Sequence, residues 1–180
     1  RTLYVPGAIL LLGYPVLTVL LGQTDEGQAF VTAFMAALAV RIALGFEGMV
    51  RRMLTKYSAA QAALLAIGFA AVPLLVLSFA ADPVWCQRMQ SAFYLVIGAI
   101  FLSDVLKNRV ATAASFWPDA EMRQHLPNLT RAMVVYNFAF LLLNETLIHT
   151  VAASNWLLFW AVLPILAHTV LRALVLTVVN

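Results

Sequence analysis

The sequence predicts an all-α fold, a polytopic bundle of transmembrane helices, and three observations carry that prediction. Of 180 residues, 63% are apolar and only 11% are charged. A soluble domain carries about a quarter charged residues, so a soluble surface built from this chain would stay oily. The apolar residues gather into runs near the roughly 20 residues that a helix needs to cross a hydrocarbon core of about 30 Å. These runs are continuous, whereas the strands of a membrane barrel alternate over about ten residues.

About six spans follow in order within one transmembrane domain, 1–180. The first run, 3–22, holds Pro6 and Pro15. It lacks a small-x-small cleavage site followed by a polar region, so it reads as a retained span rather than a leader. Gly22 to Gly27 forms a short polar turn, and the second span runs 29–49. Arg51 to Ser58 is a basic connection to the third span, 59–81. Asp82-Pro83 should open a new segment, and the fourth span, the shortest, is 91–106. Residues 107–128 are the long polar stretch. The fifth span is 129–151, Ala153-Ser154-Asn155 is a tight turn, and the sixth span is 156–179.

The positive charges alternate with these spans. The 23–28 and 150–155 turns carry no Lys or Arg, and the 82–90 connection carries only Arg88. The other connections carry Arg1, Arg51, Arg52, Lys56, Lys107, Arg109, Arg123 and Arg131. Cytoplasmic loops hold the excess of Lys and Arg, so both termini are expected in the cytoplasm. The 107–128 stretch mixes basic and apolar groups, which suits a cytoplasmic segment lying on the membrane. Lys107, Arg109, Trp117 and Arg123 are its candidate membrane-surface contacts, with a docked partner protein as the alternative.

Charges inside spans need a partner, water or a route to the interface. Arg41 and Glu47 belong to the second span. Arg41 can snorkel toward Arg51 and Arg52, or pair with Asp104 or Glu145. Gly45 and Gly48 do not make a GxxxG contact motif. Asn144, Glu145 and His149 form the candidate polar site. Glu145 and His149 are four residues apart and share a helix face. A Glu–His pair can relay protons or hold a ligand, but a hydrogen-bonded structural pair is the plainer expectation. In that reading Asn144, Asn155 or His149 holds Glu145 and fixes the turn after the fifth span. His168, with Arg172 four residues on, lacks a second axial group at matching depth for haem.

No catalytic, cofactor or metal site is expected. Cys86 is the single cysteine, a bystander thiol near the membrane surface, and no Cys/His cluster has metal spacing. Phosphate loops, nucleophile elbows and zinc-protease motifs are missing from the sequence, and the serines lack a His/Asp arrangement. No basic run points to nucleic acid.

The order of features resembles a known family. It starts with Ala81-Asp82-Pro83-Val84-Trp85, a basic residue and the aromatic Phe93-Tyr94-Leu95. It continues with Phe138-Ala139-Phe140-Leu141-Leu142-Leu143-Asn144-Glu145, then Ser154-Asn155-Trp156 and Leu163-Pro164. Over about residues 60–170 the chain is similar to a divergent member of the intracellular septation protein A family, the inner-membrane-spanning proteins YciB or IspZ. That family has Lys-Pro before the fourth span, where Arg88-Met89-Gln90-Ser91 stands here, and a Lys where Phe159 stands. The resemblance implies a non-enzymatic, multi-pass protein of the bacterial inner membrane that serves septation and envelope maintenance through partner proteins. An accessory subunit of a larger membrane complex is a related reading. The partners expected are other integral membrane proteins, the lipid bilayer and, as an option, further copies of the chain, but no nucleic acid. The alternative from another class is a small transporter or channel using Asn144, Glu145 and His149.

Overall fold

The computed structural model describes residues 4–20, 26–55, 57–80 and 82–179. Among them the chain is all α, with no strand. The helices are α1 (Val5–Leu20), α2 (Glu26–Leu54), α3 (Ala59–Ala80), α4 (Pro83–Leu106), α5 (Ala111–Phe116), α6 (Leu126–Thr150) and α7 (Ala153–Val179), with a 3-10 helix at Ala120–His125. Five helical stretches are long and apolar enough to cross a membrane: Gly27–Leu54, Ala59–Phe79, Pro83–Leu106, Ala120–Thr150 and Ala153–Val179. The chain is therefore a membrane protein by helix length and composition. The sixth expected span is represented by α1, whose 16 residues rise about 24 Å and fall short of a core about 30 Å thick. Residues 3, 21 and 22 of that expected span, and the Gly22–Asp25 part of the polar turn, lie outside the described residues.

Local chemistry moves several boundaries. α2 continues past 49 to Leu54, because Arg51 and Glu47 form an i,i+4 ion pair at 2.7 Å on its exposed face. Arg51 and Arg52 thus belong to the helix, and the connection shortens. At the start of α3, the Ser58 backbone N–H donates to Gln61 Oε1 at 3.2 Å and the Gln61 N–H donates to Ser58 Oγ at 3.4 Å, a capping box. α4 begins at Pro83, well before 91. Asp82 Oδ1 accepts from the Val84 N–H at 2.8 Å, and proline suits the first helical position. The polar residues Gln87, Gln90 and Ser91 of this helix are buried. α6 starts at Leu126 rather than 129. Residues 153–155 form the first turn of α7 rather than a loop, with the Trp156 N–H donating to Ala152 O at 3.0 Å.

α4 ends in a Schellman motif. Arg109 N–H donates to Asp104 O at 2.7 Å and Asn108 N–H to Val105 O at 3.1 Å, with Asn108 at φ 51°. The Asp104 carboxylate then accepts from the Thr112 N–H at 2.8 Å. One residue therefore closes α4 through its backbone and opens α5 through its side chain. The long polar stretch is thus two short helices, the second running directly into α6.

The chain divides into two compact units. The first comprises 1–89 and 148–165, the second 90–147 and 166–180. In the first, α1 packs on α2 and α2 on α3. The α2 residues Phe30 and Phe34 meet α7 through Trp156 and Trp160, with Phe34 ring centroids 5.8 and 5.2 Å from the two indoles. Tyr14 of α1 adds an edge contact to Phe30 at 5.9 Å. α1 approaches α7 closely at Gly7, where a Cβ would stand 2.9 Å from Ala161 O.

In the second unit α4 and α6 run antiparallel. Ser91 meets Asn144, Tyr94 stacks on Phe140 with centroids 5.3 Å apart, and Gly98 faces Asn137. As residue number rises along α4 it falls along α6. The buried α6 positions include Leu126, Thr130, Met133, Asn137, Phe140 and Asn144, one stripe at helical spacing. The second half of α7 joins through the Tyr136 hydroxyl, which donates to Ala167 O at 3.1 Å.

Candidate functional site

The polar site is assembled at one end of the α4–α6 seam. Asn144 is fully buried, and Ser91 is 6% exposed. Asn144 Nδ2 donates to Ser91 Oγ at 2.8 Å, and Ser91 Oγ donates to Glu145 Oε1 at 2.6 Å. The three groups form a directional hydrogen-bond chain, amide to hydroxyl to carboxyl. The short second bond is in the range of a hydroxyl donating to a carboxylate. Glu145 is half-buried, and a polar group so placed in a membrane helix needs such partners. Gln90 is also buried beside Ser91 in α4. One turn along, the Tyr94–Phe140 stack closes the apolar side of the cluster.

Sequence reasoning found Asn144 and Glu145 and named Asn144, His149 and Asn155 as the expected partners of the carboxyl. The structure adds Ser91, 54 residues away from Glu145 in the chain, so the carboxyl ties α6 to α4. Ser91 stands in the stretch where the sequence departs from the septation family. Its signal was the spacing of Gln87, Ser91, Tyr94, Gly98 and Phe101, a single helix face that carries polar, aromatic and small residues in succession. His149 sits exposed on the last turn of α6, and Asn155 is exposed in the first turn of α7.

The other candidates are distributed. Arg41, half-buried, lies over the indole of Trp160, 4.3 Å from its centroid. The face of the ring receives its charge, a contact that snorkelling toward Arg51 and Arg52 does not describe. Glu47 pairs with Arg51. Gly45 faces open space. His168 and Arg172 are exposed on α7, and Lys107, Arg109 and Arg123 are exposed. Trp117 is half-buried beside Phe116, with centroids 6.0 Å apart. Cys86, in the first turn of α4, is fully buried within the protein. No group of three or more His, Cys, Asp and Glu able to hold a metal forms among the described residues.

Comparison with protein-family models, with curated proteins and with solved structures finds no match.

The hydrogen-bond chain has measurable weight. Bonds between membrane helices average about 0.6 kcal/mol, but leaving buried polar groups short of a partner costs about 1–3 kcal/mol. Ser91→Ala removes a bond from both Asn144 and Glu145, so a loss of about 1–2 kcal/mol is expected. Glu145→Gln keeps an acceptor oxygen and should lose less than Glu145→Ala. Unfolding in mixed micelles compares the variants, and equal losses for Gln and Ala would contradict this assignment.

Proposed function

We propose that this chain is a non-enzymatic, multi-pass protein of the bacterial inner membrane that acts through partner membrane proteins. Its role is of the septation and envelope-maintenance type, or that of an accessory subunit in a larger complex. The observation that supports this reading most is the engagement of the polar groups in the second unit. Ser91, Asn144 and Glu145 join one helix to another, as structural groups do. The resemblance to the septation protein family adds to the reading, since Asn144-Glu145 is its most specific part. The Lys/Arg distribution favours cytoplasmic termini.

Loss of the chain from its source cell should lengthen cells or misplace septa, and supplying the chain again should restore them. Glu145→Gln should restore them as well. Normal septation without the chain overturns the proposal. A Gln variant that folds, reaches the membrane and fails to restore septation points to the transporter alternative, in which the charge or proton of Glu145 is itself used.

A further inference from the structure

The segment between α4 and α6 is folded back onto the end of α4. Phe116, the last residue of α5, lies 5.9 Å from Phe101 between ring centroids. Phe101 is five residues before the end of α4, about 8 Å below it at the helical rise. The Asp104 carboxylate holds the start of α5 at the Thr112 N–H. α5 therefore lies level with the last turns of a membrane-spanning helix instead of projecting from it. Because α4 and α6 are antiparallel neighbours, the segment leaves and re-enters the membrane on the same side.

The last turns of a helix that crosses a membrane lie near the boundary between headgroups and acyl chains. An apolar ring pair, Phe116 and Trp117, belongs there, while Lys107, Arg109 and Arg123 are exposed at the corner and beyond. Between 107 and 131 the chain carries four Lys/Arg, counting Arg131, and two acidic residues, Asp119 and Glu121. The segment is a net-basic shelf beside the end of α4. We propose that it is a binding surface for anionic phospholipid headgroups in the leaflet that it faces, with Lys107, Arg109 and Arg123 supplying the charge and Trp117 the interfacial anchor. This goes beyond the septation reading and does not depend on it.

A Lys or Arg near an anionic surface contributes about fivefold in affinity. The test titrates the full-length chain in neutral detergent with phosphatidylglycerol and, separately, with phosphatidylcholine, and counts bound lipids by native mass spectrometry. The wild-type chain should prefer phosphatidylglycerol, and the preference should weaken as salt rises. The triple variant Lys107→Gln, Arg109→Gln, Arg123→Gln should lose about 100-fold of it with an unchanged melting temperature. Arg88→Gln, at an exposed cation near the opposite end of α4, should keep it. Equal binding of the two lipids by the wild-type chain overturns the proposal. So does a triple variant that keeps its phosphatidylglycerol preference, including one that loses a bound protein instead, since the shelf would then dock a protein.

Discussion

Replacing Trp160 by Ala should remove about 3–5 kcal/mol of stability, the range for deleting a fully buried aromatic side chain. Trp160 has no exposed surface, and its ring touches α2 at two levels, through Phe34 at 5.2 Å and the Arg41 guanidinium at 4.3 Å. Lipid is as apolar as the side chain, so burial alone does not drive helix association in a membrane. Packing does, and the cavity left by an indole has nothing to refill it. The Arg41 contribution is separable. A cation over an indole is worth about 0.5–2 kcal/mol, rising with desolvation. Trp160→Phe keeps an aromatic face for the cation and should fall between wild type and Ala. Combining it with Arg41→Met in a double-mutant cycle isolates the pair. Unfolding followed by circular dichroism in mixed micelles is the measurement, and a loss under about 1 kcal/mol for Trp160→Ala would contradict the packing described.

Gly7→Leu should detach α1 from α7. Even the first carbon of a side chain at Gly7 would stand 2.9 Å from Ala161 O and 3.1 Å from Ala161 Cα. These are backbone atoms, which cannot rotate aside, so a helix must move. Gly7→Ala gains about 1 kcal/mol of helix propensity and loses about 1–3 kcal/mol to overpacking, a net loss. Leu adds three more carbons at the same contact and should lose several kcal/mol. Gly13 in the same helix is the control, with nothing within 4 Å of its Cβ position, so Gly13→Ala should hold or raise stability. Hydrogen exchange along α1 reads the result directly: faster exchange in Gly7→Leu and not in Gly13→Ala is expected.

The fold class was legible because solvent selects it. Runs such as 59–81 and 156–179 have one stable home, and the helices' ends came out within three residues of those read from composition. Two kinds of feature were hidden. The first is polar residues that serve a helix from inside it. Gln87 and Gln90 fell in the expected 82–90 connection, yet they are buried in α4. The second is pairing between distant segments. Asn144 and Glu145 stood out as polar residues in an apolar run, but nothing in their own neighbourhood names Ser91. The same holds for Arg41, whose partner is the face of Trp160, an apolar surface that a search for countercharges passes over.

The α4–α6 seam also sets an order of events during synthesis. Asn144 follows Ser91 by 53 residues, and translation at about 5–20 residues per second separates their appearance by about 3–10 s. During that interval α4 is completed at Leu106 before α6 begins at Leu126. The contacts available to it at once are the nearby ones: the turn at Asn108, Asp104 on Thr112, Phe101 beside Phe116. The corner therefore matures while the buried polar face of α4 still waits for α6. α4 spends its first seconds with the Ser91 hydroxyl lacking Asn144 and Glu145, in the care of whatever machinery inserts it, and the arrival of those two residues completes the hydrogen-bond chain.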